Sequence, residues 1–145
     1  MYDYNCEELQ NDVKLLAKQS RTFKADTILA IARGGLIPSQ LLAYHLNIRN
    51  IQSIQIQSYD KTVQRDELML QDTTNLSNAS RVLIVDDIID SGKTLDALLL
   101  HVKEKYPHIT FKSASIFYKP TASIQPDFTC KEAKEWINFF WETEE

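Results

Sequence analysis

The feature that most constrains the fold is a nearly all-apolar run at 81–85 (RVLIV), which leads into a polar stretch and then into a helical pattern. Consecutive apolar residues are typical of a strand covered on both faces, as in a parallel sheet. Leucines recur at helical spacing after Lys93, and Pro107 would end the helix. The segment therefore predicts a central strand, a polar loop over 86–93 and a helix over 93–105.

Strands and helices are predicted to alternate along the rest of the chain. Apolar spacing indicates a helix at about 5–20, a strand at 26–32, a second helix with Pro38 near its first turn, and strands at 51–57 and 111–118. This alternation predicts an α/β fold, an open and mostly parallel sheet flanked by helices, formed by residues 1–145 as a single domain. The polar interval 58–80 is expected to be a mobile excursion with a small hairpin, since long irregular segments in compact domains are commonly functional.

Composition argues against several functional classes. The only three glycines stand at positions 34, 35 and 92, so a G-x-G-x-x-G dinucleotide loop is impossible. A net charge of −4 without a basic stripe argues against nucleic-acid binding. Cys6 and Cys130 have no metal-ligand spacing and are expected to be free thiols in a reducing compartment. No apolar run reaches about 18 residues, so we expect a cytoplasmic protein without a membrane-spanning segment.

The candidate ligand-binding residues lie between the predicted central strand and its helix. Asp86 and Asp87 follow the strand. The loop after them ends in Asp90-Ser91-Gly92-Lys93-Thr94. In open α/β sheets ligands bind beyond the carboxyl ends of strands, and the free N–H groups at a helix start favour a phosphate. Gly92 would let the backbone approach that anion, whereas the paired carboxylates suit ribose hydroxyls or Mg²⁺. The loop therefore predicts a site for a phosphorylated sugar.

Three other interpretations of this segment are disfavoured. Gly92-Lys93-Thr94 resembles the end of a nucleotide-binding P-loop, but that motif needs a glycine at position 87, which is an aspartate. Response-regulator receivers carry an apolar strand with two acids near their start, and here too few residues follow it to complete such a domain. Ordinary helix-capping and surface acids would not explain the Ser-Gly-Lys-Thr that accompanies them.

Residues 82–95 resemble the signature of the type I phosphoribosyltransferases, in which four apolar residues and two acids precede a loop of the form Asp-Ser/Thr-Gly-x-Thr. The resemblance implies that family's fold, with a small hood built from the chain termini and covering about 119–145. It implies that Asp86 and Asp87 bind the ribose hydroxyls of phosphoribosyl pyrophosphate, with Asp87 near Mg²⁺. It further implies that Asp90 accepts a proton from the purine. The 5′-phosphate would be held by Asp90, Ser91, Gly92, Lys93 and Thr94.

Two further segments resemble parts of the same family that contact pyrophosphate. Arg33, Gly34 and Gly35 resemble the pyrophosphate loop of the bacterial xanthine–guanine members. An arginine beside exposed N–H groups at a helix start suits that anion, and a plain strand-to-helix turn is the alternative. The interval 58–80 resembles the family's flexible lid, which excludes water and contacts pyrophosphate; its alternative is a disordered surface loop. The lid residues named by the resemblance are Ser58, Tyr59 and Arg65.

The end of the chain resembles the base-binding part of the family. Lys119 matches the lysine that hydrogen-bonds the purine 6-oxo group. Trp136 and Ile137 match the aromatic residue that stacks on the base and the carbonyl that reads its 2-position. Position 138 is asparagine where we expect an acid, which leaves the preference among guanine, xanthine and hypoxanthine open.

The sequence is therefore identified as a purine phosphoribosyltransferase that uses Mg²⁺, with Asp90 and Lys119 as its catalytic residues. Its expected partners are phosphoribosyl pyrophosphate and a purine base, and the closing aromatic residues suggest a homo-oligomer. Two alternatives stay open: a non-catalytic regulator that senses phosphoribosyl pyrophosphate or a nucleotide, and the same chemistry on another base. Because Gly92 is assigned to an anion site, its replacement is expected to weaken substrate affinity more than folding.

Overall fold

The computed structural model describes residues 1–58 and 68–142. The helices are α1 (Cys6–Ser20), α2 (Leu36–Leu46) and α3 (Lys93–Lys105), with a 3-10 turn at Arg21–Phe23. The strands are β1 (Tyr2–Tyr4), β2 (Thr27–Ala32), β3 (Asn50–Ser58), β4 (Leu68–Gln71), β5 (Arg81–Ile89), β6 (Thr110–Tyr118), β7 (Phe128–Glu132) and β8 (Ile137–Phe139). Apart from β5, each predicted element is found within two residues of its expected bounds.

Strand β5 is longer than predicted. A loop was expected from residue 86, but the ladder with β6 continues through Ile88, which pairs with Phe117, to Ile89, which pairs with Tyr118. Ile89 is only 4% exposed, so continuing the strand buries a further apolar side chain. The prediction of a loop over 86–89 is therefore wrong, and Asp86 and Asp87 stand on an ordered strand.

The order of strands in the main sheet places the site. Six strands lie in the order β4-β3-β2-β5-β6-β7, all parallel except β4, which runs antiparallel to β3. The chain moves from β2 outward to β3, and from β5 outward to β6 in the opposite direction. A reversal of this kind opens a crevice at the carboxyl ends of the two central strands, which is where open α/β sheets bind ligands. In this chain the crevice lies after Ala32 and after Ile89.

The core has one cluster on each face of the main sheet. Leu83 and Val85 of β5 pack on the side of α1 and α2, whereas Val82 and Ile84 pack on the side of α3. All four are at most 1% exposed. This confirms the prediction of a central strand covered on both faces, and it gives the crevice a rigid floor.

Both ends of the described chain form a second, two-stranded sheet. Strand β1 pairs with β8 in parallel, with Tyr2 opposite Ile137 and Tyr4 opposite Phe139. We call β1 and β8 the terminal sheet. Sequence periodicity predicted neither strand, because three residues are too few to show an alternating pattern.

The later part of the interval 58–80 packs on the body of the domain. Strand β4 pairs antiparallel with β3, so the pairing is with the strand before the interval and not within it as expected. Leu76 is 1% exposed in the core. Asp72, just after β4, accepts hydrogen bonds from His101 Nε2 at 2.7 Å and Lys105 Nζ at 3.1 Å on α3. Burial raises the pKa of Asp72, but these hydrogen bonds and those from Thr74 outweigh it and hold the pKa well below its ordinary value.

Both cysteines are free thiols, as predicted. Cys6 is exposed, and Cys130 is partly buried. Burial raises the pKa of the Cys130 thiol to about 12, so this side chain stays protonated and behaves as a small apolar group. Within residues 1–58 and 68–142, no helix combines the length and apolar character required to cross a membrane.

Candidate active site

A cleft opens where β2 and β5 end, and it has two connected parts. The larger part has a volume of about 760 Å³ and the smaller part about 340 Å³. Both are lined by Asp87, Trp136 and Glu142, so they form one continuous site. The larger part also contains Arg33, Gly34, Asp86 and Thr94. The smaller part also contains Ile88, Asp90, Lys119 and Ile137.

Two adjacent carboxylates form the floor of the larger part. Asp87 is 8% exposed, its Oδ1 accepts the Ile88 N–H at 2.7 Å, and its own N–H donates to Asp86 Oδ1 at 2.8 Å. Burial raises the pKa of both carboxyls, and the charge of Asp87 raises that of Asp86 further. A cation or a set of hydroxyl donors at this floor therefore stabilises the ionised pair.

The donor set fits Mg²⁺. Within 1–58 and 68–142, no three potential metal-ligating side chains cluster together. Mg²⁺ commonly takes one or two carboxylates from a protein and its remaining ligands from water and substrate phosphates. Asp87, with Asp86 beside it, is the position in the described chain that matches this pattern.

The loop from Asp90 to Thr94 surrounds a small hollow of about 70 Å³ at the start of α3. Ser91 Oγ accepts the Lys93 N–H at 3.2 Å, and the Ser91 carbonyl accepts the Ser123 N–H at 2.8 Å. Gly92 adopts φ +88°, and a β-carbon there would lie 2.7 Å from Ser123 Oγ and 2.9 Å from the Ile124 backbone nitrogen. The segment at 123–124 therefore packs directly against Gly92 and holds the loop in place.

Gly92 has a structural role in addition to the predicted anion contact. Both the left-handed backbone and the contact with 123–124 require glycine whether or not a phosphate is bound. Replacing Gly92 should therefore lower stability, and the expectation that affinity falls by more than stability stays a prediction.

The turn after β2 brings two of its three predicted residues to the cleft. Arg33 and Gly34 line the larger part, and the peptide bond between Ala32 and Arg33 is cis. Gly35 is buried behind them, and its N–H donates to the Ile31 carbonyl at 2.8 Å. This donor is already used within the turn and is not open to pyrophosphate. The assignment of Gly35 to the pyrophosphate loop stays a prediction.

The residues predicted to meet the base face one another across the smaller part. Lys119 Nζ lies 2.8 Å from Asp90 Oδ1, so the two predicted catalytic side chains form an ion pair. Trp136 is 74% exposed at the mouth of the cleft. Its carbonyl accepts the Tyr2 N–H at 2.8 Å, so the parallel ladder leaves the Ile137 carbonyl on the opposite, open edge of β8.

Among the lining residues that were not assigned to the site from the sequence, three lie near the end of the described chain: Asn138, Trp141 and Glu142. Burial raises the pKa of Glu142, with a contribution from the charge of Asp87 that the charge of Arg33 opposes. Trp141 also stacks on Phe139, with ring centroids 4.8 Å apart. These residues lie in and just after a three-residue strand, where periodicity gives no signal.

Two of the three predicted lid residues lie outside the described part of the chain. Ser58 ends β3, and Tyr59 and Arg65 lie outside the described residues. Their role remains a prediction.

Residues 5–145 match the family model described as a phosphoribosyl transferase domain. The chain belongs to the phosphoribosyltransferase family. It is 33% identical to the xanthine-guanine phosphoribosyltransferase of Idiomarina loihiensis over 142 residues, which cover 94% of this chain and 83% of that protein.

Solved phosphoribosyltransferase structures have the same fold. The xanthine-guanine-hypoxanthine phosphoribosyltransferase of Helicobacter pylori superimposes with a TM-score of 0.91 and 33% identity, over 97% of this chain and 93% of that one. The purine phosphoribosyltransferase of Pyrococcus horikoshii gives a TM-score of 0.87 and 30% identity, over 99% and 95% of the respective chains. The predicted fold class and the resemblance stated from the motifs are confirmed.

Proposed function

We propose that this phosphoribosyltransferase acts in purine salvage, converting a 6-oxopurine and phosphoribosyl pyrophosphate to the nucleoside 5′-monophosphate and pyrophosphate. The observation that carries this proposal is the Asp90–Lys119 pair, 2.8 Å apart and lining the same part of the cleft as Trp136 and Ile137. One edge of a 6-oxopurine presents an acceptor oxygen next to a ring nitrogen. A cationic donor beside an anionic acceptor matches that edge, whereas the 6-amino group of adenine would face the lysine donor with a donor of its own.

The reaction forms a bond between a purine ring nitrogen and C1 of the ribose, and it breaks the bond from C1 to the pyrophosphate oxygen. Asp90 would accept a proton from the ring nitrogen beside the 6-oxygen, which makes the other imidazole nitrogen, the one that attacks C1, more electron-rich. Lys119 would stabilise negative charge on the 6-oxygen. Both side chains are at least 40% exposed, so their ion pair contributes only about 0–1 kcal/mol and the base can replace it at little cost.

The larger part of the cleft and the small hollow at the start of α3 suit the sugar and its phosphates. Asp86 and Asp87 would bind the ribose hydroxyls, Arg33 and the backbone at Gly34 the pyrophosphate, and residues 90–94 the 5′-phosphate. Mg²⁺ held at Asp87 would offset the charge of the departing pyrophosphate. The proposed lid, with Ser58, Tyr59 and Arg65, would exclude water that competes with the base.

Product formation tests the reaction directly. The protein is incubated with Mg²⁺, phosphoribosyl pyrophosphate and either guanine, xanthine, hypoxanthine or adenine, and the nucleotides are separated. We expect nucleotide from at least one 6-oxopurine and little from adenine. Binding of phosphoribosyl pyrophosphate without turnover of any base would indicate a sensor and overturn the proposal.

A matched pair of variants tests the role of Asp90. Asp90→Asn should lose at least about 100-fold in rate, the lower range for a general acid or base, while still binding phosphoribosyl pyrophosphate. Asp96→Asn removes an exposed acid from the first turn of α3, outside the lining of the cleft, and should keep normal activity. Near-normal turnover by Asp90→Asn would remove this residue from the mechanism.

A further inference from the structure

We propose that Tyr4 is a positioning residue for the purine: its hydroxyl, bonded to Asp12, holds the terminal sheet so that residues 136–142 face the base. This inference rests on the proposed function. We call residues 136–142 the base wall, since Trp136, Ile137, Phe139 and Glu142 line the smaller part of the cleft, where the base is proposed to bind. Asn138 and Trp141 line the adjoining larger part.

The base wall is attached to β1 at both of its ends. The Tyr2 N–H donates to the Trp136 carbonyl at 2.8 Å, and the Phe140 N–H donates to the Tyr4 carbonyl at 3.1 Å. Between these bonds, β1 and β8 pair over three residues. The position of the wall therefore follows the position of β1, because a two-stranded sheet moves as one unit.

Strand β1 is in turn fixed to α1 by a buried polar contact. The Tyr4 hydroxyl donates to Asp12 Oδ2 at 2.6 Å, and Lys131 Nζ of β7 lies 3.2 Å from the same oxygen. Tyr4 is 1% exposed and Asp12 is 7% exposed. A hydrogen bond to a charged acceptor away from water is directional and costly to lose. It is therefore suited to hold one orientation of the sheet, whereas apolar packing alone tolerates sliding.

The Tyr4 hydroxyl stays protonated, and so remains a hydrogen-bond donor, throughout the pH range in which an enzyme assay is run. Burial raises the pKa of Tyr4 far above its ordinary value, and the hydrogen bond to Asp12 raises it further. Its ring packs edge-on against Phe117 and Phe139, with centroids 5.1 and 5.8 Å apart. Phenylalanine at this position keeps the ring contacts and removes only the hydroxyl, so Tyr4→Phe isolates the hydrogen bond.

If Tyr4 positions the base wall, its loss should affect the base more than phosphoribosyl pyrophosphate. Residues 33–34 and 86–94, which are proposed to bind phosphoribosyl pyrophosphate, follow or belong to strands of the main sheet, which has no strand pairing with the terminal sheet. Loosening β1 should therefore raise KM for the base and leave affinity for phosphoribosyl pyrophosphate unchanged. A general loss of stability would affect both substrates.

The experiment compares Tyr4→Phe with Tyr106→Phe. Tyr106 is 6% exposed, and its hydroxyl accepts the Leu76 N–H at 3.2 Å and donates to the Thr74 carbonyl at 3.3 Å. Tyr106→Phe therefore also removes the hydrogen bonds of a buried tyrosine hydroxyl, but far from the terminal sheet. For Tyr4→Phe we expect KM for guanine or xanthine to rise about three- to tenfold, the size of one buried hydrogen bond. The dissociation constant of phosphoribosyl pyrophosphate should stay within twofold, and Tyr106→Phe should change neither quantity.

Hydrogen exchange gives a readout that does not depend on turnover. Amides in the base wall should exchange faster in Tyr4→Phe and at the wild-type rate in Tyr106→Phe. Unchanged exchange in the wall, an unchanged KM for the base, or an equal rise in KM in Tyr106→Phe would each overturn the inference. Absence of turnover in the wild type would instead refute the proposed function, and exchange would still decide whether Tyr4 holds the wall.

Discussion

Alanine at Gly35 and alanine at Gly34 are expected to have different consequences, although the two positions are neighbours. A β-carbon at position 35 would lie 2.3 Å from the Val85 carbonyl oxygen and 2.8 Å from the Ile31 carbonyl oxygen. Both are backbone atoms of the main sheet and cannot rotate away. Gly35 has φ −81° and ψ −5°, which alanine adopts without strain, so any loss measures the contact itself.

The magnitude follows from these contacts. Overpacking costs about 1–3 kcal/mol, and rigid backbone neighbours place Gly35→Ala near the upper end. Alanine also restricts the unfolded chain, which offsets about 0.4–1 kcal/mol and leaves a net loss of about 2 kcal/mol in the free energy of unfolding. At about 2.1 cal/mol/K per residue, the 145-residue chain has an unfolding entropy of about 0.3 kcal/mol/K, so Tm should fall by about 7 °C.

At Gly34 the neighbour is a side chain. A β-carbon there would lie 2.3 Å from Asp87 Oδ2 and 2.6 Å from Asp87 Cγ. The carboxylate can turn away, so the loss of stability should be about 1 kcal/mol, the lower end of overpacking. Because Asp87 is the proposed Mg²⁺ ligand, its displacement should weaken binding of the magnesium complex of phosphoribosyl pyrophosphate by about tenfold.

Thermal unfolding of the wild type and both variants, with titration calorimetry of the magnesium complex, measures the two effects. A Tm of Gly35→Ala at or above that of the wild type would refute the packing argument. A Gly34→Ala variant that loses as much stability as Gly35→Ala yet binds the complex normally would refute the division between the two positions.

Three further variants have defined expectations. Asp72→Asn should cost about 1–3 kcal/mol at pH 7 by thermal unfolding. Since folding lowers the pKa of Asp72, the carboxylate stabilises the fold above about pH 4, and this stabilisation is lost as the pH falls. The difference in free energy of unfolding between Asp72→Asn and the wild type should therefore narrow between about pH 4 and pH 2. A difference that stays constant over this range would contradict the sign of the pKa shift. Trp136→Ala, at a 74% exposed position, should change stability by less than about 0.5 kcal/mol and raise KM for the base about 5- to 100-fold, the range for base stacking; an unchanged KM would remove Trp136 from the base site. Gly92→Ala should lower the free energy of unfolding by about 2 kcal/mol, because alanine at positive φ is strained and its β-carbon meets 123–124; unchanged unfolding would show that the loop relaxes freely.

The main sheet was predictable because its signals are local and repeated. The apolar run at 81–85, the leucines of α3 and Pro107 act within a few residues of the element they define. The extension of β5 through residue 89 was not predictable from polarity, because its pairing with β6 outweighs the two acids in the strand. Strand β1 depends entirely on β8, more than 130 residues away, and no local pattern encodes that pairing.

Site residues were predictable from the sequence where they form a recognisable ligand-binding motif. They were not predictable where tertiary packing alone brings a residue to the cleft. Acids, serine, glycine and threonine at the end of a strand indicate a phosphorylated sugar by their chemistry. The structure places them in the cleft and in the small hollow at the start of α3. Glu142 enters the cleft only because the tail folds back after β8, so its sequence neighbourhood carried no signal. Gly35 shows the reverse case, in which a plausible anion-binding residue has its N–H used inside its own turn.

The terminal sheet has a consequence for altering base preference. Residues 33–34 and 86–94 of the main sheet and its loops are proposed to meet sugar and phosphate, and Asp90 and Lys119 the 6-oxo edge of the base. Residues 136–142 are proposed to meet the rest of the base and are hydrogen-bonded to residues 2–4. If residues 136–142 alone were replaced by those of a relative, the new base wall would have to pair with a β1 that does not match it. Exchanging 2–4 and 136–142 together should preserve the ladder, so changes of base preference made through residues 136–142 need a matched change in β1.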